Sequence, residues 1–206
     1  MLLLAGGKGL RMGGENKLYL EIGGSLILER TLRVIAPLFC ETILLTAHGR
    51  SICIKNEMAS LTEGLNITFA EDREEGRGPL EGLFVGLSAM STEWGFLLGC
   101  DMPMADPNII RAMSKYRTEE AQAVTAETGG FTEPLHAYYR RSCLPHIEKM
   151  LESGERKIKK FYPQINLTVV KSSELEKYGS CEMSFFNLNT PHDIETMERF
   201  ASRIKD

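Results

Sequence analysis

The chain begins with Leu2, Leu3, Leu4 and Ala5 running directly into glycine, and seven of its 19 glycines fall within the first 24 residues, MLLLAGGKGLRMGGENKLYLEIGG. A short apolar run of this kind reads as a buried strand. The glycines behind it are poor material for continuing either a helix or a strand, because each loses more backbone freedom on ordering than any other residue. The first strand must therefore leave through a long loop of nearly bare backbone. No helical apolar period resumes until after Gly24, and only Leu18 to Ile22 alternates weakly enough to suggest a short strand. Leu28, Leu32, Ile35 and Phe39 then recur at helical spacing, with Ser25 placed to cap and Pro37 near the end.

Strands and helices alternate from there. Thr42 to Ala47, Ile67 to Ala70 and the strongest apolar run, Trp94 to Cys100, read as strands, with helices starting near Pro79 and near Asp106 and Pro107. Alternation of this kind predicts a mostly parallel sheet with helices on both faces. Further along, Ala121 to Glu127, Leu135 to Tyr139 and Leu167 to Val170 read as strands, and about Ser142 to Glu152 as a helix. Thr190 as cap, Pro191 in the first turn, Asp193 three residues on, and the apolar side Ile194, Met197, Phe200, Ala201 and Ile204 define a closing helix. No repeat, low-complexity tract or linker divides the chain, so residues 1–206 are read as a single domain.

Composition narrows the class. With 43% hydrophobic and 25% charged residues the chain is not a disordered one, and 24 Lys plus Arg against 28 Asp plus Glu supply no broad field for nucleic acid. The opening apolar run is too short for an export signal and no stretch reaches the roughly 20 apolar residues of a membrane span, so a cytoplasmic location is expected and no membrane partner. Five scattered cysteines without a CxxC pair support neither a disulfide framework nor a zinc site, and most are read as small buried hydrophobes. The four histidines show neither HxxxH nor HExxH spacing, and no GxSxG marks a serine nucleophile. Lys157, Lys159 and Lys160 form a basic run that meets either a partner or water.

The chemistry concentrates behind strands. Leu4, Ala5, Gly6 and Gly7, then Lys8, Arg11 and Lys17, place open amides and cations where a nucleoside triphosphate lies at the C-terminal edge of a sheet. The loop is neither a Walker loop, since Glu15 follows Gly14, nor the dinucleotide fingerprint, whose third glycine is replaced by Met12. A surface loop without a ligand is the other reading. Asp101, in GCDMP, puts a carboxylate just outside the strongest strand, a position suited to magnesium or to a local turn. Asp72, in EDREEGRGPLEG, suits sugar hydroxyls, a metal-bound water, or a solvated acidic loop. Gly78, Gly82 and Gly86, four residues apart, form a bare ridge on the helix that follows. Asn187 and Asn189 share one face if FFNLNT is extended, and otherwise serve the turn before the last helix.

Taken in order, LAGGKGLRMGGENK, DREEGRGPLEG, GCDMP and FFNLNTPHD resemble the molybdenum cofactor guanylyltransferases, the MobA family, across almost the whole chain. The resemblance implies a Rossmann-like three-layer α/β/α sandwich of the nucleotide-diphospho-sugar transferase type. It implies transfer of GMP from GTP to the terminal phosphate of molybdopterin carrying molybdenum, with Mg2+ as cofactor and pyrophosphate as the other product. It also implies site roles. Leu4, Ala5, Gly6 and Gly7 hold GTP by backbone contacts, Lys17 its phosphates, Asp72 the guanosine side and Asp101 the magnesium, while Arg11 steadies pyrophosphate and Asn187 and Asn189 face the pterin. Other proteins of molybdenum cofactor synthesis and apo-molybdoenzymes are the implied partners.

Five positions depart from the pattern: Asn16 precedes Lys17, His48 and Gly49 stand where an asparagine often meets the base, Glu81 fills a place usually small, and His192 replaces a frequent glutamate. The alternatives are a molybdopterin cytidylyltransferase of the same fold, which shows LAAG where this chain has LAGG, and a non-catalytic GTP-binding partner of molybdoenzyme maturation. No catalytic histidine is expected, because the attacking phosphate is already ionised.

Overall fold

The computed structural model describes residues 1–5, 21–22, 24–62, 64–190 and 192–197. In chain order β1 (Leu2–Leu4), β2 (Glu21–Ile22) and β3 (Ser25–Leu26) precede α1 (Ile27–Val34) and β4 (Thr42–Thr46). Then come α2 (Ser51–Glu57), α3 (Ala59–Thr62), β5 (Ile67–Glu71), α4 (Pro79–Ala89), β6 (Trp94–Gly99) and α5 (Pro107–Ser114). The second half supplies β7 (Ala123–Thr128), β8 (Phe131–Arg140), α6 (Leu144–Glu152), β9 (Leu167–Lys171) and the single turns α7 (Ser172–Leu175) and α8 (Cys181–Ser184). Residues 192–197 are helical.

Seven strands form one sheet in the order β5-β4-β1-β6-β8-β7-β9. All pairings are parallel except those of β8, which runs against β6 and β7. The strand of three residues at the start of the chain thus lies in the middle, paired with β4 on one side and β6 on the other. Its alternation explains the layers. Leu3 packs with Leu44, Phe96 and Leu98 beneath α1 and α5, while Leu2 packs with Ile43, Leu45 and Leu97 beneath α4 and α6. Both faces are covered, which is why these strands read as continuous apolar runs rather than alternating ones. The expected mostly parallel three-layer α/β/α sandwich is present.

The bare ridge of α4 is what brings that helix onto the sheet. A Cβ on Gly82 would lie 2.5 Å from Leu4 Cδ1, and one on Gly86 would meet Leu45 and Leu2 at 3.0 and 3.1 Å. Gly78, at φ 75°, turns the chain into Pro79, where the missing amide proton costs nothing in a first helical turn. A side chain on Gly82 would require the Leu4 side chain or the helix to shift.

Several local expectations are corrected. Ser25 does not cap α1; it pairs in β3 with Ile22, and Leu26 holds the cap position without a side-chain bond. Helices α2 and α3 were not legible, because α2 buries only Ile54 and so carries no apolar stripe. β8 begins at Phe131, four residues before the apolar part, and its register against β7 shifts between Thr125 and Glu127, so the segment around Pro134 bulges out of that pairing. Only Cys143 and Cys181 are buried; Cys40 and Cys53 are exposed and Cys100 is half-buried. The last helix starts as read. Thr190 Oγ1 accepts from the Asp193 amide at 3.3 Å, while the Asp193 carboxylate accepts from the amides of Asn189 and Thr190 at 2.8 and 2.7 Å. Pro191, Phe200, Ala201 and Ile204 lie outside the described residues.

His136 on β8 is fully buried between the rings of Phe96 and Phe185, at 5.0 and 4.8 Å between centroids. Ser184 Oγ lies 3.2 Å from its Nε2 and accepts the Asp106 amide, while Nδ1 meets no hydrogen-bond partner among the described residues. Burial pushes its pKa down to about 3. An unfolded histidine takes a proton near 6.5 and the folded one does not, so the folded state loses stability as pH falls below 6.5. This residue should cost about 2 kcal/mol between about pH 7.5 and about pH 5. His136→Leu should remove that share of the acid loss in urea unfolding at the two pH values; an unchanged slope would place the acid sensitivity elsewhere.

Candidate functional site

The turns at the C-terminal ends of β1, β4, β5 and β6 meet at one edge of the sheet. Ala5 donates its amide to Leu45 O at 2.9 Å, Cys100 to Leu4 O at 3.2 Å, and Asp72 to Thr46 O at 2.9 Å. Asp72 follows β5 and Asp101 follows β6, with β4 and β1 between them. Three strand spacings separate their strands, roughly 14 Å, with the exit of β1 between them, next to β6. Leu4 and Ala5 occupy that exit. Gly6, Gly7, Arg11 and Lys17 lie outside the described residues. In an open α/β sheet, ligands bind in the crevice outside these strand ends.

Asp72 is half-buried, and the position a Cβ would take on Gly82 is 3.8 Å from its Oδ1. Burial pushes its pKa up to about 6, and the nearby carboxylates of Glu81 and Glu71 add to this while His48 opposes it. Both neighbouring acids are otherwise engaged. Glu71 accepts from the Gly49 amide and from the amide and hydroxyl of Ser51, and these bonds hold it below the usual carboxylate range. Glu81, fully buried, accepts from the Arg73 amide at 3.2 Å, from Nε at 2.6 Å and from the terminal guanidinium nitrogen at 3.2 Å. Burial pushes Glu81 up, but the bonds and charge of Arg73 outweigh it and leave the carboxyl low. His48 turns its Nδ1 to the Asp72 carbonyl at 3.1 Å, so the loop after β4 is tied to the loop after β5. Among the described residues no hydrogen bond reaches the Asp72 carboxylate itself.

Asp101 sits on a tight turn in which the Met102 amide donates to Gly99 O at 3.1 Å, and Arg30 of α1 donates to Pro103 O at 3.1 Å. Its Oδ1 lies back against Gly99, where an added Cβ would be 2.5 Å away. The Asp101 carbonyl accepts the Leu188 amide at 2.8 Å. This single bond brings the late FFNLNT segment to the metal-like position, a link that sequence spacing cannot show. Leu188 packs inward with Ile27 and Met197. Asn187 is half-buried and its amide donates to Phe185 O at 3.0 Å, whereas Asn189 is exposed.

The Asp101 carboxylate fits magnesium in donor type. The ion takes hard oxygen donors, often only one or two from protein, and fills its shell with water and substrate phosphates. Among the described residues no three His, Cys, Asp or Glu side chains converge as a complete metal cage. A cleft of about 570 Å³ lined by Trp94, Tyr138, Arg111 and Arg117 opens beside Met1 and Glu41, at the opposite, N-terminal ends of the strands. Neither Asp72 nor Asp101 borders it, and the crevice at the strand exits is the better chemical candidate. The pair Arg73 and Glu81 was missed by sequence reasoning. Its only signal was a glutamate inside the apolar start of α4, in PLEGLFVG.

Comparison with known proteins bears on the family and the fold. Residues 1–168 match the family described as the MobA-like NTP transferase domain. A Methanosarcina acetivorans protein named "Probable molybdenum cofactor guanylyltransferase" is 35% identical over 95% of this chain and 88% of its own. The molybdenum cofactor guanylyltransferase of Desulfosudis oleivorans is 27% identical over 96% of this chain and 93% of its own. The crystal structure of molybdopterin-guanine dinucleotide biosynthesis protein A from Archaeoglobus fulgidus superposes with a TM-score of 0.83 at 26% identity, covering 98% of this chain and 97% of that one.

An ionised Asp72 without an internal partner costs stability. Because its folded pKa of about 6 lies above the ordinary 3.8, the folded state binds the extra proton and stability falls as pH rises through that interval. Allowing for solvent screening of a half-exposed group, Asp72→Asn should stabilise the fold by about 1 kcal/mol at neutral pH and by nothing below about pH 4. Denaturant titration at the two pH values checks this; destabilisation at neutral pH would mean that the carboxylate is bonded internally.

Proposed function

Because this chain belongs to the MobA-like NTP transferase family, we propose that it transfers GMP from GTP to the terminal phosphate of molybdopterin carrying molybdenum, releasing pyrophosphate. The observation that carries this reading is the placement of Asp72 and Asp101 on either side of the β1 exit, with FFNLNT bonded to the Asp101 turn. The spacing suits a nucleotide whose sugar and triphosphate run across the strand ends.

A phosphate oxygen of molybdopterin attacks the α-phosphorus of GTP; the new P–O bond forms as the bridge to the β-phosphate breaks, and that bridging oxygen leaves with pyrophosphate. The nucleophile is already ionised, so positioning and charge neutralisation do the work and no general base is required. The Leu4-to-Gly7 backbone holds the nucleotide, Lys17 its phosphates, Arg11 the departing pyrophosphate and Asp72 the ribose hydroxyls. Asp101 is the residue that would hold magnesium, which when bound supplies positive charge at the phosphates. Asn187 and Asn189 face the pterin substrate. The LAGG loop, with Gly6 in place of a second alanine, favours guanine over cytosine. Proteins that hand over or receive the cofactor are the expected partners, and among the described residues no helix is long and apolar enough to cross a membrane.

Purified protein with magnesium, molybdopterin and molybdate should release pyrophosphate with GTP and not with CTP, ATP or UTP. Release with CTP alone would move it to the cytidylyl branch, and GTP binding without release would make it a regulator. Lys17→Met should lower turnover by at least about a hundredfold, since a phosphate cation is lost where charge is redistributed. Asp101→Asn should raise the magnesium concentration needed for half-maximal rate; full turnover in either variant at wild-type magnesium would remove that residue from the site.

A further inference from the structure

Glu81 is a burial anomaly. A glutamate in the first turn of a largely apolar helix is fully buried, and among the described residues its carboxylate is hydrogen-bonded by Arg73, the residue after Asp72. The three bonds from Arg73 include its own amide, so Glu81 fixes both the main chain and the side chain of the Asp72–Arg73 step. The Arg73 guanidinium also lies 4.1 Å from the centroid of Phe84, one turn further along α4, which draws it along the helix. The residue after Glu81 is Gly82, the site of closest approach between α4, Leu4 and Asp72.

We propose that Glu81 is a positioning residue of the nucleotide site: by binding Arg73 through backbone and side chain, it keeps that guanidinium off the neighbouring Asp72 carboxylate, which is thereby presented to the sugar hydroxyls of a bound nucleoside triphosphate. A guanidinium released from Glu81 stands on the residue next to Asp72, and an Asp72–Arg73 ion pair would occupy the oxygens that hydroxyls need. A buried carboxylate is costly unless fully bonded, so a glutamate here is retained only with Arg73 in place. The inference rests on the guanylyltransferase reading for the identity of the ligand, while the link from Glu81 to Asp72 stands on geometry alone.

The groups facing Asp72 are Glu81 on α4, Glu71 at the end of β5 and His48 on the loop after β4. Loss of the Glu81 charge, with Arg73 released toward Asp72, makes the Asp72 carboxyl easier to ionise. The test is the Asp72 carboxyl titration followed by 13C NMR in wild type, Glu81→Gln and Glu81→Ala. The Asp72 midpoint should fall by about one unit in both Glu81 variants. In the same variants KM for GTP should rise about tenfold with kcat nearly unchanged, and the acid limb of kcat/KM should follow the NMR midpoint. The isosteric Glu81→Gln keeps the helix packed if Glu81→Ala does not fold. A midpoint that stays in place in a folded Glu81 variant overturns the proposal. A midpoint that falls while wild-type protein turns over no nucleotide upholds the Glu81 assignment and refutes the guanylyltransferase reading instead.

Discussion

Everything at the working edge depends on β1 being hydrogen-bonded along both sides. Three residues, Leu2 to Leu4, pair in parallel with β4 and β6, and the bonds continue past the strand as Ala5 donates to Leu45 and Leu4 accepts from Cys100. A central parallel strand has no free edge and no exposed face, so its register is fixed by packing as well as by bonding. That register decides which backbone groups stand at the crevice and how far Asp72 and Asp101 lie from the exit of β1. A slip of one residue would exchange Leu2 and Leu3 between the two core layers.

The close approach of α4 is the second consequence. Without side chains at Gly82 and Gly86 the helix settles onto Leu2, Leu4 and Leu45, and its first turn arrives beside Asp72. Packing and site are therefore one arrangement. The same glycine that lets helix and sheet touch leaves space next to the carboxylate, and the residue before it, Glu81, holds the loop that carries that carboxylate. Three acids in one neighbourhood are tolerated because two are saturated with donors and the third is left for a ligand. The stability withheld at Asp72 is of the kind active sites commonly forgo.

On the far side of β1 the chain returns from the C-terminal half. Ser184 bridges His136 on β8 and the Asp106 amide that begins α5, and Leu188 then bonds the Asp101 turn. A neutral histidine buried between two phenyl rings thus anchors the segment that carries Asn187 and Asn189. His136 works through the core, in keeping with phosphoryl transfer that needs no histidine base.

Sequence alone determined the layered α/β architecture, because apolar runs of five or six residues separated by helical periods admit few other arrangements. It also determined the carboxylates at strand ends and the cap of the last helix, since strand exits and caps are local events written in neighbouring residues. Short helices such as α2, with one buried residue, and the polar first half of β8 left no periodic trace, and tertiary contacts alone made them regular. The pairing of Arg73 with Glu81, the bond from Leu188 to Asp101, and the seat of His136 were likewise decided only by the fold. Each joins residues from separate elements, and such meetings depend on which strand lies beside which, a property of the sheet order and of no sequence window.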